Sequence, residues 1–230
     1  MAASVALVAL PGLMLRLGAD YATSTGEWRE VRLADGSLID LAPGGAIDVA
    51  LTSDRRDIRL LVGQAFFEVA ADPARPFEVK GHGVTATVLG TGFSMRLGGD
   101  AADIAVRHGL VRVDHESVTP PESRRLESGD WLHVPWTGPM TGGRRPVDEI
   151  GAWRVGQLVA HNQPIADIVE ELRPCFDGLI VIANASAGRR RVSGVYNLRE
   201  PVEALRAVGR AHADITVTRL LPWLVVISGG

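Results

Sequence analysis

The chain of 230 residues is long enough for one large or two small domains, and its 46% hydrophobic and 22% charged content is typical of globular proteins. Its net charge of −3 at pH 7 excludes the strong basic field that is typical of nucleic-acid-binding proteins. The single cysteine, Cys175, excludes an intrachain disulfide and a cysteine-cluster metal site, and we interpret it as a packing residue.

The chain begins with an uncharged segment, MAASVALVALPGLML, which Arg16 follows. As a helix this segment would span about 22 Å, short of the roughly 30 Å hydrocarbon core of a bilayer. No basic segment precedes it and no cleavage site of small residues clearly follows it, so a secretory signal peptide fits poorly. We interpret residues 1–19 as the C-terminal part of a truncated transmembrane helix; the alternatives are a mis-assigned start or a short apolar tail.

Residues 20–136 alternate between apolar and polar positions with the period of two that β-strands require. Asp35-Gly36 lies between two such runs and predicts a tight hairpin turn in which both residues adopt positive φ. Short runs such as VTATVLG, GFSMRLG and DIAVRHG follow, and most of them end at glycine. Seven or more short strands at near-regular spacing predict an all-β sandwich, barrel or helical stack of strands.

Two segments of this β domain carry specific pairing predictions. LLVGQAFFEVAADPARPFEV, residues 60–79, predicts two strands that form a scaffold hairpin, with Phe67 and Phe77 packed in the core. RRLESGDWLHVP predicts a final pair of strands.

The pattern changes after the β domain. Residues 137–152 are rich in glycine, proline and charge and are interpreted as a linker. Residues 153–230 predict a small α+β domain in the order β-α-β-β-α-β-β. Its first helix is expected to be capped by Asn162 and ended by Pro174, and Pro201 opens the second. The predicted fold class is therefore mainly β plus α+β.

No motif in the sequence identifies a catalytic, cofactor-binding or metal-binding site. The six histidines include no H-E-x-x-H or H-x-x-x-H pair, and no G-x-S-x-G segment occurs. The GTGF segment at residues 90–93 lacks the phosphate-loop pattern and is interpreted as a turn or bulge. His108 and His115 flank a hairpin, and we interpret them as surface or edge-strand residues. We predict a binding or signalling protein without cofactors or metals, and not an enzyme.

Several ordered segments between Tyr21 and Trp136 resemble a known family. They are GEWREVRLADGSLIDLAPGGAIDV, RLLVGQAFFEVAADPARPFEV, VTATVLGTGFSMR and VRHGLVRV, and they resemble the periplasmic domain of FecR-type regulators. WRVGQLVAHNQPIADIVEEL is similar to the bridge into that family's C-terminal part. The remainder resembles the small secretin/TonB short N-terminal (STN) domain.

The resemblance implies transmembrane signalling. A TonB-dependent outer-membrane receptor of the iron or siderophore type would present its periplasmic signalling domain to the STN-like domain. The chain would then control an extracytoplasmic-function sigma factor through a missing cytoplasmic segment. The implied location is the inner membrane, with a single span and with residues from about 20 onward in the periplasm. No nucleic-acid partner is implied.

A physical mechanism for partner capture follows from the small C-terminal domain. Such domains leave short edge strands, whose unpaired N–H and C=O groups can accept an additional strand. The candidate edges are residues 180–183 and 192–196. The candidate partner-binding residues are Ile180, Val181, Ile182, Arg190, Arg191, Val192, Val195 and Tyr196.

Two other functions are open from the residues alone. A secreted or periplasmic glycan-binding module would show a stripe of exposed tryptophans, for which Trp28, Trp131 and Trp136 are too scattered in the sequence to give evidence. An enzyme with an unrecognised site would show a buried carboxylate or histidine with a shifted pKa in a deep pocket.

Overall fold

The structure is a computed structural model that describes residues 18–229, which form two compact units. The first unit comprises residues 18–24 and 28–151, and the second comprises Thr25–Glu27 and residues 152–229. The membrane helix predicted for residues 1–19 therefore lies almost entirely outside the described residues. Within residues 18–229, no helix combines the length and the apolar character that crossing a bilayer requires.

The first unit is built from strands, as the period-two alternation predicts. In several of them buried and partly exposed residues alternate strictly, because successive side chains point to opposite faces. The strands are β1 (Tyr21–Ala22), β2 (Arg29–Arg32), β3 (Leu38–Leu41), β4 (Ala46–Leu51), β5 (Arg56–Glu68), β6 (Phe77–Gly81), β7 (Val84–Val88), β8 (Gly92–Leu97), β9 (Ala101–His108), β10 (Leu110–His115), β11 (Glu122–Glu127), β12 (Asp130–Pro135) and β13 (Thr141–Arg144).

The long strand β5 divides this sheet into two halves. Its first part pairs with β4 and β6, in a first half-sheet of order β1-β4-β5-β6-β7-β10-β11. Its last part pairs with β3 and β8, in a second half-sheet of order β2-β3-β5-β8-β9-β12-β13. Gly63, with φ +84°, lies where the partners change, and a Cβ there would stand 2.8 Å from the Gly45 Cα atom. Only glycine fits this position without strain.

The two half-sheets enclose one hydrophobic core. Phe67 and Phe93, from the second half-sheet, stack with ring centroids 5.0 Å apart. Phe77, from the first half-sheet, meets the ring of Phe67 edge-on at 6.3 Å. All three side chains are fully buried, which stabilises the fold by roughly 1.5–3 kcal/mol each. The predicted packing of Phe67 and Phe77 is confirmed.

Of two predicted hairpins, the one at Asp35-Gly36 is confirmed by the antiparallel pairing of β2 and β3, although its turn differs, and the other is wrong. Residues 60–79 do not form a hairpin, because β6 runs parallel to the first part of β5 and residues 69–76 return the chain between the half-sheets. Around Asp35, the turn between β2 and β3 spans residues 33–37, and only Gly36 adopts positive φ, at +87°. Asp35 instead accepts hydrogen bonds from the Ser37 backbone and hydroxyl, at 3.0 and 2.8 Å.

The end of the first unit also differs from the prediction. β11 and β12 are consecutive strands but do not pair, because β11 joins β10 in the first half-sheet and β12 joins β9 and β13 in the second. β13 lies within residues 137–152, so part of the predicted linker is an edge strand of the β domain. Gly142 and Gly143 in β13 explain why the sequence did not indicate a strand, since glycine is depleted in strands.

The second unit combines two small sheets with three helices, which confirms the mainly β plus α+β fold class. Its sheets have the orders β14-β16 and β15-β18-β17. Short 3₁₀ turns lie at Ala152–Val155 and Arg173–Cys175. The elements are β14 (Gln157–Pro164), α1 (Ile165–Leu172), β15 (Leu179–Ile182), α2 (Ala185–Arg189), β16 (Arg191–Asn197), α3 (Pro201–Arg210), β17 (Ile215–Leu221) and β18 (Leu224–Gly229).

The predicted order of this unit omitted the helix α2. The Asn184 side chain accepts a hydrogen bond from the Ala187 N–H at 3.3 Å and caps this short helix, which is too short to show an apolar period. Asn162 does not cap α1, since Pro164 occupies the N-cap position and Asn162 lies within β14 with φ +49°. The inward faces of α1 and α3 bury the following residues: Ile165, Ile168, Val169, Leu172, Ala204, Leu205 and Val208.

Candidate functional site

The strand β15 is an edge of its sheet, because it pairs in parallel with β18 and with no other described strand. The N–H groups of Leu179 and Ala183 donate to the carbonyls of Trp223 and Ile227 in this pairing, at 2.7 and 2.8 Å. Since backbone groups alternate sides along a strand, the N–H and C=O groups of Ile180 and Ile182 face the open edge. An incoming strand would therefore bond to these two residues.

The strand β16 is likewise an edge, since β14 is its only partner among the described strands. The side chains of Val192 and Tyr196 are buried, and burial raises the pKa of the Tyr196 phenol. Val195 between them is 63% exposed, and Arg191 is exposed at the strand's start. Val192 and Tyr196 therefore hold the strand in place, and Val195 and Arg191 are the side chains open to a partner.

Arg190 is engaged within the unit. Its guanidinium pairs with the Asp214 carboxylate, which joins the start of β16 to the loop before β17. The hydrogen bond from Arg190 is the largest cause of the lowered pKa of Asp214. The neighbouring Arg191 carbonyl lies 3.0 Å from the His212 Nε2 atom. Because its guanidinium is already paired with Asp214, Arg190 positions the strand and is less suited to bind a carboxylate of a partner.

The structure does not bring all the predicted residues into one site. Ile180, Val181 and Ile182 belong to β15 in one sheet, and the residues of β16 belong to the other. Ile180 is 1% exposed and packs in the interior, whereas Val181 and Ile182 are half-buried. The second unit thus presents two separate edges that could each accept a strand.

The sequence analysis did not identify an exposed apolar group that lies at the end of the three-stranded sheet. It consists of Leu179, Leu220, Leu221 and Trp223, which are 43%, 59%, 44% and 53% exposed, and we call it the tip cluster. Leu179 and Leu221 both stand opposite Leu224, on its two sides. The signal was the segment LLPW, since polar residues are usual at a tight turn and exposed apolar clusters mark interaction surfaces.

The titratable groups show no arrangement for metal binding, since no group of three or more His, Cys, Asp or Glu side chains among residues 18–229 could hold a metal ion. His108 Nε2 lies 2.7 Å from Glu68 Oε1, and both side chains are well exposed. His115 is instead buried, and neither ring nitrogen has a hydrogen-bond partner among the described residues. The interpretation as a surface or edge-strand residue is therefore wrong for His115, which is buried.

The thiol of Cys175 has an environment that suppresses its reactivity. Burial, with a smaller contribution from the Glu171 carboxylate, raises its pKa to about 11. Because the thiolate is the nucleophile, almost all of this thiol is unreactive at neutral pH. This agrees with the interpretation of Cys175 as a packing residue.

Comparison with known proteins finds a family model that matches part of the first unit. Residues 19–112 match the family model described as FecR protein. This FecR segment runs from before β1 into β10 and includes the switch of β5 between the half-sheets. β11–β13 and the second unit lie outside it. No curated protein sequence matches the chain.

Solved structures share the fold over most of the chain. Two crystal structures of a "putative anti-sigma factor" from Parabacteroides distasonis ATCC 8503 superimpose with TM-scores of 0.82 and 0.81. The alignments cover 91% of this chain and 98% of the other, at 24% sequence identity. This likeness establishes the fold, including elements beyond the FecR segment.

Proposed function

We propose that the chain is a FecR-type signalling regulator that controls an extracytoplasmic-function sigma factor. The match of residues 19–112 to the FecR family carries this proposal. The fold shared with the Parabacteroides protein supports it, because that protein is described as a "putative anti-sigma factor". The proposed role is signal transfer by binding, and it requires no catalysis.

The proposed signal comes from a TonB-dependent outer-membrane receptor of the iron or siderophore type. The receptor's periplasmic signalling domain would bind the second unit, for which we retain the STN-like role. Residues 1–19 would form the C-terminal part of a single membrane span that anchors the chain in the inner membrane, with residues from about 20 onward in the periplasm. The edges of β15 and β16 and the exposed tip cluster support a binding role for the second unit.

Calorimetric titration of the full chain with the receptor's signalling domain tests this docking. Ile182→Pro removes an N–H that faces the open edge of β15, and Val195→Asp places a charge on the edge of β16. We expect one of the two to weaken binding at least roughly tenfold, because strand addition depends on backbone bonds and flanking side chains. Val147→Asp in the first unit, where Val147 is 45% exposed, is the matched control and should leave the affinity unchanged.

Circular dichroism tests whether each variant folds. If Ile182→Pro does not fold, Val195→Asp alone tests strand addition, and it does so at β16. Unchanged affinity in folded variants of both edges would exclude strand addition as the docking mode. A sigma-dependent reporter in cells that lack the chain tests the wider role. If the reporter still follows the receptor's ligand, the chain is not the regulator.

A further inference from the structure

The outer edges of the two half-sheets border an apolar cleft of about 300 Å³. Leu126 on β11, Leu132 on β12 and Met140 before β13 line it, and all three belong to the hydrophobic core. The cleft is therefore an opening into the core of the first unit. It exists because β11 and β12, although consecutive, enter different half-sheets.

Both strands beside the cleft have an unpaired edge. Among the described strands, β11 pairs only with β10, and β13 only with β12. β13 is exposed along its whole length, and its central residues, Gly142 and Gly143, carry no side chain. A Cβ on Gly142 would stand 2.6 Å from the Trp131 carbonyl oxygen, so glycine is required there by the strand β12 itself. The result is a bare backbone edge beside an apolar cleft.

The rim of this cleft is basic. Arg124 and Arg144 line it, and the guanidinium of Arg145 stacks over the Trp131 ring at 5.5 Å. Asp130 is the one carboxylate in the lining, and Arg144 Nε lies 3.8 Å from it. The Arg124 side chain makes no hydrogen bond or ion pair with any described residue. The rim therefore carries uncompensated positive charge.

We propose that this cleft binds an extended acidic peptide segment of a partner protein, which adds a strand to the open edge of β13. The backbone of the segment would bond to residues 141–144, an apolar side chain would enter the cleft, and a carboxylate would pair with Arg124. A basic rim disfavours a second copy of the same edge, because it would bring like charges together. This site lies outside the FecR segment and is independent of docking at the second unit.

Fluorescence anisotropy with a labelled hexapeptide of alternating glutamate and leucine tests the proposal on the full chain. We expect binding that weakens as salt is raised, and no binding of the peptide with lysine in place of glutamate. Arg124→Glu should weaken binding roughly fivefold or more, because it replaces an attraction by a repulsion. Arg125→Glu is the matched control: Arg125 is the next exposed residue of β11, points to the opposite face and lies outside the cleft lining.

Hydrogen exchange distinguishes strand addition from simple apolar contact. Strand addition predicts that the acidic peptide slows exchange of those amides of residues 141–144 that face the open edge and leaves the amides of β15 and β16 unchanged. Equal weakening by Arg124→Glu and Arg125→Glu, binding without protection of residues 141–144, or no binding of the acidic peptide would each overturn the proposal. Self-association through this edge, measured by sedimentation of the chain alone, would also overturn it.

Discussion

Replacement of Arg56 should destabilise the first unit more than that of any exposed arginine in its sheet. The Arg56 side chain is 1% exposed, and its Nη1 lies 3.1 Å from Asp35 Oδ2. Three carbonyl oxygens accept its other hydrogen bonds, those of Arg75 at 2.8 Å, Ala70 at 2.9 Å and Asp72 at 3.3 Å. Arg56 thereby joins the turn after β2 to the link that returns the chain from β5 to β6.

Arg56→Met should lower the free energy of unfolding mainly because it leaves the buried Asp35 carboxylate without its ion-pair partner. Methionine fills most of the volume, so the cavity contribution is small. Removal of one member of a buried ion pair typically costs about 3–5 kcal/mol, because the other charge stays buried and unpaired. Asp35 retains its two hydrogen bonds from Ser37, which places the expected loss near the lower limit, at about 3 kcal/mol.

Urea denaturation followed by far-ultraviolet circular dichroism measures this loss. Arg59→Met is the matched control, because Arg59 lies on the same strand, is 70% exposed and stands 3.8 Å from Asp48. An exposed pair of this kind contributes less than about 1 kcal/mol. If Arg56→Met loses less than about 1 kcal/mol, or no more than Arg59→Met, the assigned role of the buried pair is refuted.

Urea denaturation at lower pH tests whether the Arg56–Asp35 ion pair causes this loss of stability. Burial acts to raise the pKa of Asp35, but hydrogen bonds from Ser37 and Arg56 outweigh it and lower the pKa from its usual 3.8. A lowered folded-state pKa contributes stability that is present above the unfolded-state value and is lost as the pH falls through the folded-state value. The difference in the free energy of unfolding between the wild type and Arg56→Met should therefore persist near neutral pH and narrow as the pH falls below about 3.8. A constant difference would mean that packing, and not the ion pair, is responsible.

Two further variants or reactions test local features of each unit. Iodoacetamide should label Cys175 roughly a hundredfold more slowly than a free thiol at pH 8. The labelling rate should increase as the pH approaches the thiol's pKa of about 11. Rapid labelling of the folded protein at pH 8 would show that the thiol is accessible. Gly63→Ala should lower the free energy of unfolding by roughly 1–3 kcal/mol, because it combines positive φ with a 2.8 Å approach to Gly45. Gly99→Ala, whose Cβ would meet no atom within 4 Å, should be nearly neutral in the same urea titration.

Most strands of the first unit could be predicted because the signals that define them are local. Alternation along the chain decides which side chains share a face, and glycine at strand ends marks turns. Partner choice is not local: β6 runs parallel to β5, and β11 and β12 part into separate half-sheets, although the sequence of each segment is compatible with a hairpin. The cleft between β11 and β13 was therefore invisible in the sequence.

In the second unit, local strand-forming residues were enough to predict short strands at residues 180–183 and 192–196 and to propose them as edges. The folded chain was needed to show that neither segment has a second strand partner among the described strands, that Val195 is exposed while Tyr196 is buried, and that Arg190 pairs with Asp214. The reason is physical: a strand's own residues set its extended backbone, but exposure and pairing depend on the elements that pack across it from distant parts of the chain.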